Sequence, residues 1–314
     1  GTMLTGRENY QRLLAAAKAG PRATTAVAHP CDASALRGAV EGAEEGIITP
    51  ILVGPREKII AAAAAAEVDI SAYEIVHADH SHESAGKAVA LVREGRAEML
   101  MKGSLSTDEM LGAVVNRAGG LRTERRLSHC FVMDVPGHPN VLIITDAAIN
   151  IFPTLEDKVD IIQNAIDFAH ALGITQPKVA ILSAMEKINP KLDSTIEAGA
   201  LCKMADRGQI TGALLDGPLA LDNAISPEAA RIKGITGPVA GHADILVVPD
   251  LEAGNMLAKS LSFMMNADSA GIVLGARVPI TLTSRADTVQ SRLASCAVAA
   301  LVAQRRRQTA AKGG

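Results

Sequence analysis

Short apolar runs recur along this chain, each closed by Gly, Pro or Asp, with longer stretches of mixed polarity between them. The runs predict strands at 24–28, 49–53, 98–101, 130–134, 141–145, 179–183, 212–216, 245–249, 270–274 and 280–283. Several stay apolar at successive positions, as strands buried on both faces of a parallel sheet do. The stretches between them read as helices. The alanine run at 61–66 has high helix propensity. Val159, Ile162, Ile166 and Ala169 recur at three and four residues and give 158–171 one apolar face. Val289, Leu293, Cys296 and Ala300 do the same for 288–302. Strand-helix alternation over the whole length predicts an α/β protein with largely parallel sheets and helices on both sheet faces.

Composition narrows this picture. At 314 residues the chain is long enough for about two domains. Hydrophobic residues make up 48% and Trp is absent, so the core must be aliphatic. A net charge of -3 gives no ground for a nucleic-acid or membrane partner. Cys31, Cys130, Cys202 and Cys296 share no CxxC spacing, which suits reduced thiols in a cytoplasmic protein. No apolar run approaches the roughly 18 residues of a membrane span, and no signal peptide is visible. Gly1-Thr2-Met3 reads as a tag scar ahead of the natural chain.

Candidate chemistry sits where predicted strands end. In "MLMKGSLSTDEML" a strand runs into Lys102-Gly103-Ser104, and Ser106-x-x-Glu109 has the capping-box pattern of a helix start. Gly lets backbone approach a ligand, a helix start offers N–H donors to anions, and Lys102 adds charge. In "LLDGPLALDNAIS" a strand ends at Asp216-Gly217-Pro218, with Asp222 following. Carboxylates at such ends sit where α/β proteins bind ligands, and a plain turn accounts for them equally well. In "HADILVVPDLEAGNMLAKSL" Asp250, Gly254 and Asn255 follow a strand, Asn255 as a helix-start residue and Gly254 as a point of close approach. In "VPITLTSRADTVQSRL" Ser284 and Arg285 precede a helix for which Asp287 or Thr288 is the cap. A guanidinium beside a helix N-terminus suits a phosphate group. "HADHSH" (His77, Asp79, His80, His82) matches no zinc spacing and reads as a solvated loop, so no metal is expected. The basic end "QRRRQTAAKGG" suits a helix C-terminus.

Taken together and in order, "MKGSLSTDEML", "FVMDVPGHPNVLIITDAAINIFPTLEDKVDI", "DGPLALDNAIS", "GHADILVVPDLEAGNMLAKSL" and "GARVPITLTSRADT" resemble the phosphate acetyltransferase/phosphate butyryltransferase family. The resemblance covers nearly the whole chain. It implies the reaction acyl-CoA + phosphate ⇌ acyl phosphate + CoA, with acetyl as the foremost acyl group. It implies a fold like that of isocitrate/isopropylmalate dehydrogenase: two α/β domains over 1–148 and 149–271, a segment 272–314 returning to the first, and a site in the cleft between them. It implies a homodimer that needs no cofactor, coenzyme A being a substrate. Some relatives carry this module behind an enoyl-CoA hydratase-like domain, and the tag-like start would fit excision from such a fusion.

Residue by residue, Ser284-Arg285 match the family's catalytic pair, Arg285 holding the phosphoryl group and Ser284 bonding the reacting centre. Lys102-Gly103-Ser104 match the loop beside the substrate, and Arg126 falls where relatives have a basic residue near CoA. Asp216, Asp250 and Asn255 are carried as further binding candidates. One departure stands out. Acetyl-transferring relatives place an essential acid six residues after the arginine, and here that position is Ser291. Asp287, the nearby acid, is expected mainly to cap the helix and orient Arg285, with Asp216 or Asp287 as proton acceptor. Two other readings remain: a CoA- or phosphate-binding module without catalysis, and a metal-dependent decarboxylating dehydrogenase using Asp216 and Asp222.

Overall fold

The structure, a computed structural model, describes residues 8–283 and 287–313. Its elements run α1 (Glu8–Ala19), β1 (Ala23–Ala28), α2 (Ala33–Glu44), β2 (Ile48–Gly54), α3 (Arg56–Ala66), β3 (Glu74–His77), α4 (Ser81–Arg93), β4 (Met99–Lys102) and α5 (Thr107–Val114). Next come β5 (Ser128–Asp134), β6 (Leu142–Thr145), α6 (Leu155–Ala171), β7 (Lys178–Leu182), α7 (Asp193–Asp206), β8 (Leu214–Leu219), α8 (Leu221–Ile225) and α9 (Pro227–Ile232). The chain closes with β9 (Ile245–Val247), α10 (Leu251–Met264), β10 (Asp268–Leu274), β11 (Ile280–Thr281) and α11 (Val289–Gly313).

The chain divides into two compact units. One is formed by Tyr10–Arg125 with the chain from Ala270 onward, the other chiefly by Arg126–Ser269. In the first unit the strand order is β3-β2-β1-β4-β11-β10. All its neighbours are parallel except β10 and β11. β1 is buried at nearly every position, so both its faces are covered, with α4 and α11 packed on it and α2 lying against α11. β3 was hidden from the apolar pattern because it is an edge strand whose residues are only partly buried or exposed. The stretch read as a solvated loop is therefore this strand's end and the start of α4. His77 pairs with Asp79 at 2.9 Å, and His80 caps α4 by accepting from the Glu83 amide.

In the second unit the order is β5-β6-β9-β7-β8, antiparallel at β5–β6 and parallel elsewhere. Leu142, Ile144, Leu182, Leu246 and Val248 face a core shared with Ala258 of α10. The predicted boundary at 148/149 falls inside this unit. β5 and β6 exchange ladder bonds and β6 pairs β9, which ties the chain from Arg126 onward to the later strands of the same sheet. β8 begins later than the pattern predicts and runs through Gly217-Pro218, whose bond is cis. An edge strand tolerates that proline.

Candidate active site

In the first unit, three chain segments meet at the C-terminal ends of the parallel strands and enclose a pocket of about 270 Å³. The first segment is the start of α2. Asp32 caps that helix, accepting from the Ala35 amide at 2.8 Å, and Asp32, Ser34 and Gly38 face the pocket. The second is Lys102 to Leu105, leaving β4, and the third is Thr283 beyond β11, with Arg292 of α11 beside it. The volume lies just under the roughly 300–1,000 Å³ of sites that enclose a drug-sized ligand, so it fits a small anion or a fragment.

The β4 loop is set by backbone. The Gly103 and Ser104 amides donate to the carbonyls of Ala28 and His29 at 2.8 and 2.7 Å. A Cβ on Gly103 would stand 2.4 Å from the Ala28 carbonyl oxygen and 2.5 Å from that of His29, so only glycine allows this approach. The Ser104 hydroxyl accepts from the Cys31 amide. Lys102 is half-buried, and its ammonium donates to the carbonyls of Gly103 and Leu105 at 3.3 and 3.0 Å. Burial lowers its pKa, opposed by the carboxylates of Asp32 and Asp287. Ser106 caps α5 as the pattern predicts, but the Glu109 carboxylate accepts from Ser81 Oγ, so only half of a capping box forms.

Sequence reasoning missed four residues here: His29, Asp32, Glu41 and Arg292. His29 holds a left-handed backbone at φ 59° and bonds Ser84 through Nδ1 at 2.8 Å. Ser84 donates its hydroxyl hydrogen to the His80 carbonyl, so His29 Nδ1 must be the donor and its Nε2 bears the lone pair. Burial, then Lys58, lowers the His29 pKa, so the ring is neutral near pH 7. Burial pushes the Cys31 thiol up to about 11, which keeps it protonated. Arg292 forms a two-pronged pair with Glu41 and donates to the Asp287 carbonyl at 2.8 Å. The only advance signal was position: an acid shortly after an apolar strand for Asp32, and a place next to Leu293 of the last helix's apolar stripe for Arg292.

Ser284 and Arg285 lie outside the described residues. Asp287 is described, and its carbonyl accepts from Arg292 at 2.8 Å. Thr288, the other cap candidate, stands at the start of α11 with its hydroxyl accepting from the Ser291 amide at 3.1 Å.

The remaining predicted residues belong to the second unit. Arg126 donates from Nε to Asp157 at 2.9 Å and from Nη1 to Asn150, and its amide donates to Asp160. Asp216 accepts from the Gly217 amide, and burial raises its pKa against that bond. Asp222 pairs with Lys233 at 3.0 Å, and among the described residues no three His, Cys, Asp or Glu converge as a metal site. Asp250 is the cap of α10, accepting from the Ala253 amide, and Asn255 stands inside that helix rather than at its start. Gly254 serves packing: a Cβ there would meet Val248 at 2.8 Å and Ala147 at 2.9 Å.

Comparison with known proteins completes the description. The family profile described as "Phosphate acetyl/butaryl transferase" matches residues 81–300. A phosphate acetyltransferase of Rhizobium meliloti is 67% identical over 95% of this chain and 94% of its own length. A phosphate butyryltransferase of Clostridium beijerinckii is 44% identical over 95% of this chain and 99% of its own. Among solved structures, a branched-chain phosphotransacylase from Enterococcus faecalis V583 superposes with a TM-score of 0.80 at 32% identity, over 90% of this chain and 99% of that one. The chain belongs to the phosphate acetyltransferase/butyryltransferase family.

Proposed function

We propose that the protein transfers an acetyl group between coenzyme A and inorganic phosphate, with the pocket of the first unit taking the phosphate or acyl-phosphate end. The observation that carries this is the pocket itself: a half-buried lysine, a glycine that lets backbone close in, and the chain leading to Ser284-Arg285, gathered around a volume fit for a small anion. The 67% identity to a phosphate acetyltransferase supports acetyl over longer chains.

In the direction of acetyl-CoA formation, the CoA thiolate attacks the acetyl-phosphate carbonyl carbon. The new C–S bond forms, the C–O bond to phosphate breaks, and phosphate leaves with the electron pair. Arg285 and Lys102 neutralise the phosphoryl oxygens, and Ser284 donates to the oxyanion that develops on the carbonyl. The thiolate is the nucleophile, and the cations lower the cost of forming it. Asp287 remains a candidate proton acceptor, its carboxylate acting on Lys102 through space.

Two finer expectations accompany this reading. Met256, Phe263, Met264 and Met265 of α10 and its end are 61, 84, 78 and 50% exposed. Four large apolar side chains exposed along one helix and its end support a homodimer that covers them. The four free thiols suit a cytoplasmic location, and among the described residues no helix is long and apolar enough to cross a membrane.

The test is thiol release from acetyl-CoA that depends on phosphate. Arg285→Ala is expected to lose at least ~100-fold in kcat, as for a lost oxyanion donor. Turnover at the parent rate would overturn the assignment of this corner. Binding of CoA without any turnover in the parent protein would select the non-catalytic module instead.

A further inference from the structure

Among the described residues, three that are not glycine hold a left-handed backbone: His29, Glu67 and Asn266. Glu67 and Asn266 follow the ends of α3 and α10, where that conformation is a usual stop. His29 follows a strand. Its amide still bonds the Val53 carbonyl of β2 at 2.7 Å, and then the chain turns. The turn aims the His29 carbonyl at two amides, that of Cys31 at 2.9 Å and that of Ser104 at 2.7 Å. Cys31 leads into Asp32, the cap of α2, and Ser104 belongs to the loop leaving β4. One carbonyl therefore ties together two walls of the pocket. Glycine would adopt this backbone without strain, so the side chain needs a reason of its own. It is buried, and its Nδ1 donates to Ser84 Oγ at 2.8 Å. Ser84 is fully buried on α4 and donates onward to the His80 carbonyl, and α4 packs on β1.

We propose that His29 is a positioning residue, whose imidazole, clasped to Ser84, fixes the carbonyl on which the Lys102–Ser104 loop and the start of α2 both hang. This rests on the reading that the pocket takes the phosphate end. Transmission is by contact. At Gly103 the loop lies so close to the carbonyls of Ala28 and His29 that a shift of either must move it. Lys102 follows, since its ammonium donates to the carbonyls of Gly103 and Leu105 within that loop. Asp32, which acts on Lys102 through space, moves with the other end of the same tie. A displacement of about 1 Å at reacting groups can cost about 100-fold in rate. His29 is not among the residues lining the pocket, so it acts through these groups and not on the substrate.

Three replacements separate this role from a merely structural one, each assayed below its own melting temperature. His29→Gly keeps the backbone and loses the tie to Ser84. Its kcat/KM for acetyl phosphate is expected to fall by up to about 100-fold, part of it as a raised KM for acetyl phosphate, while KM for CoA stays near the parent value. A simple loss of folded protein would lower kcat and leave both KM values alone. Ser84→Ala removes the acceptor at the other end of the bond and is expected to act in the same direction. His29→Asn carries an N–H donor on Cγ, as His29 Nδ1 does, and tolerates the left-handed backbone, so it is expected to restore both constants. Parent-like constants in His29→Gly or Ser84→Ala, beside an impaired Lys102→Met, overturn the positioning role alone, and so does a His29→Asn as poor as His29→Gly. Parent-like kcat/KM for acetyl phosphate in Lys102→Met overturns the pocket reading, and the positioning role with it.

Discussion

Lys102 and Arg126 look alike in sequence, each a basic residue at a strand–helix corner and each a candidate to grip an anion. The structure gives them opposite circumstances. The Lys102 ammonium is half-buried on the wall of a pocket and bonds backbone carbonyls, with Asp32 and Asp287 acting on it through space. The Arg126 guanidinium is half exposed and bound to the Asp157 carboxylate and to Asn150, while the backbone amide of the residue donates to Asp160. A cation whose charge is matched by a carboxylate fastens the chain. A cation held by carbonyls keeps its charge for a ligand. Motif position alone does not distinguish the two, because both lie close to a strand end.

The harshest way to break the Lys102 side of this comparison is through its neighbour. Gly103→Ala would drive a methyl into two backbone carbonyls that belong to the continuation of the β1–β4 ladder, and neither can yield without shifting a buried strand. The expected result is a stability loss at the upper end of the ~1–3 kcal/mol seen for overpacking, with turnover lost as the Lys102 loop is displaced. Calorimetry and the thiol-release assay check both, and a parent-like melting temperature would show that the loop has room the structure denies it.

Lys102→Met is the next largest step, and here activity and stability are expected to part. Removing the cation should lower kcat/KM for acetyl phosphate about 100-fold, the scale of a lost charge-stabilising donor. Stability should not fall. The folded pKa lies below the unfolded one, so the protonated lysine costs stability at neutral pH, and that cost fades as pH rises through the folded value toward the unfolded one. The same shift makes a prediction about rate: activity should decline on the alkaline side earlier than an ordinary lysine would dictate. Lys102→Arg, whose charge persists, should push that limb upward. An unchanged alkaline limb in Lys102→Arg would mean that another group sets it.

Much of this was legible from residue pattern, and the losses have physical causes. The apolar runs mark buried parallel strands well, as β1 and β2 testify, because burial on both faces forces apolar residues at successive positions. β3 escapes because an edge strand can keep polar residues. At the site, Lys102-Gly103-Ser104 is readable because a glycine between a strand and a capped helix usually marks a close approach of backbone. Glu41 and Arg292 are not readable, since they lie 251 positions apart and only the packing of α2 on α11 brings them together. Between Asp287 and Thr288 the pattern left the cap of α11 open, and the structure shows the Thr288 hydroxyl accepting from the Ser291 amide. Asp and Thr are comparable caps, and one residue of register decides between them.

Arg126→Met is the smallest expected effect and the sharpest test of the contrast. The pair is partly exposed, at 50 and 21%, and such surface pairs contribute roughly 0.2–1 kcal/mol. Turnover and KM for CoA should therefore stay near the parent values while the melting temperature drops slightly. The pH dependence of that drop is informative. Burial alone would raise the Asp157 pKa, but the hydrogen bonds from Thr154 and the pairing with Arg126 outweigh it and hold the carboxyl below its ordinary value. A depressed carboxyl adds stability above its unfolded pKa and loses it as pH falls through the folded one. In Arg126→Met part of that depression goes, so the stability difference from the parent should be full at neutral pH and vanish in acid. A clear rise in KM for CoA at unchanged melting temperature would erase the contrast with Lys102, because it would mean that Arg126 leaves Asp157 to take hold of the substrate.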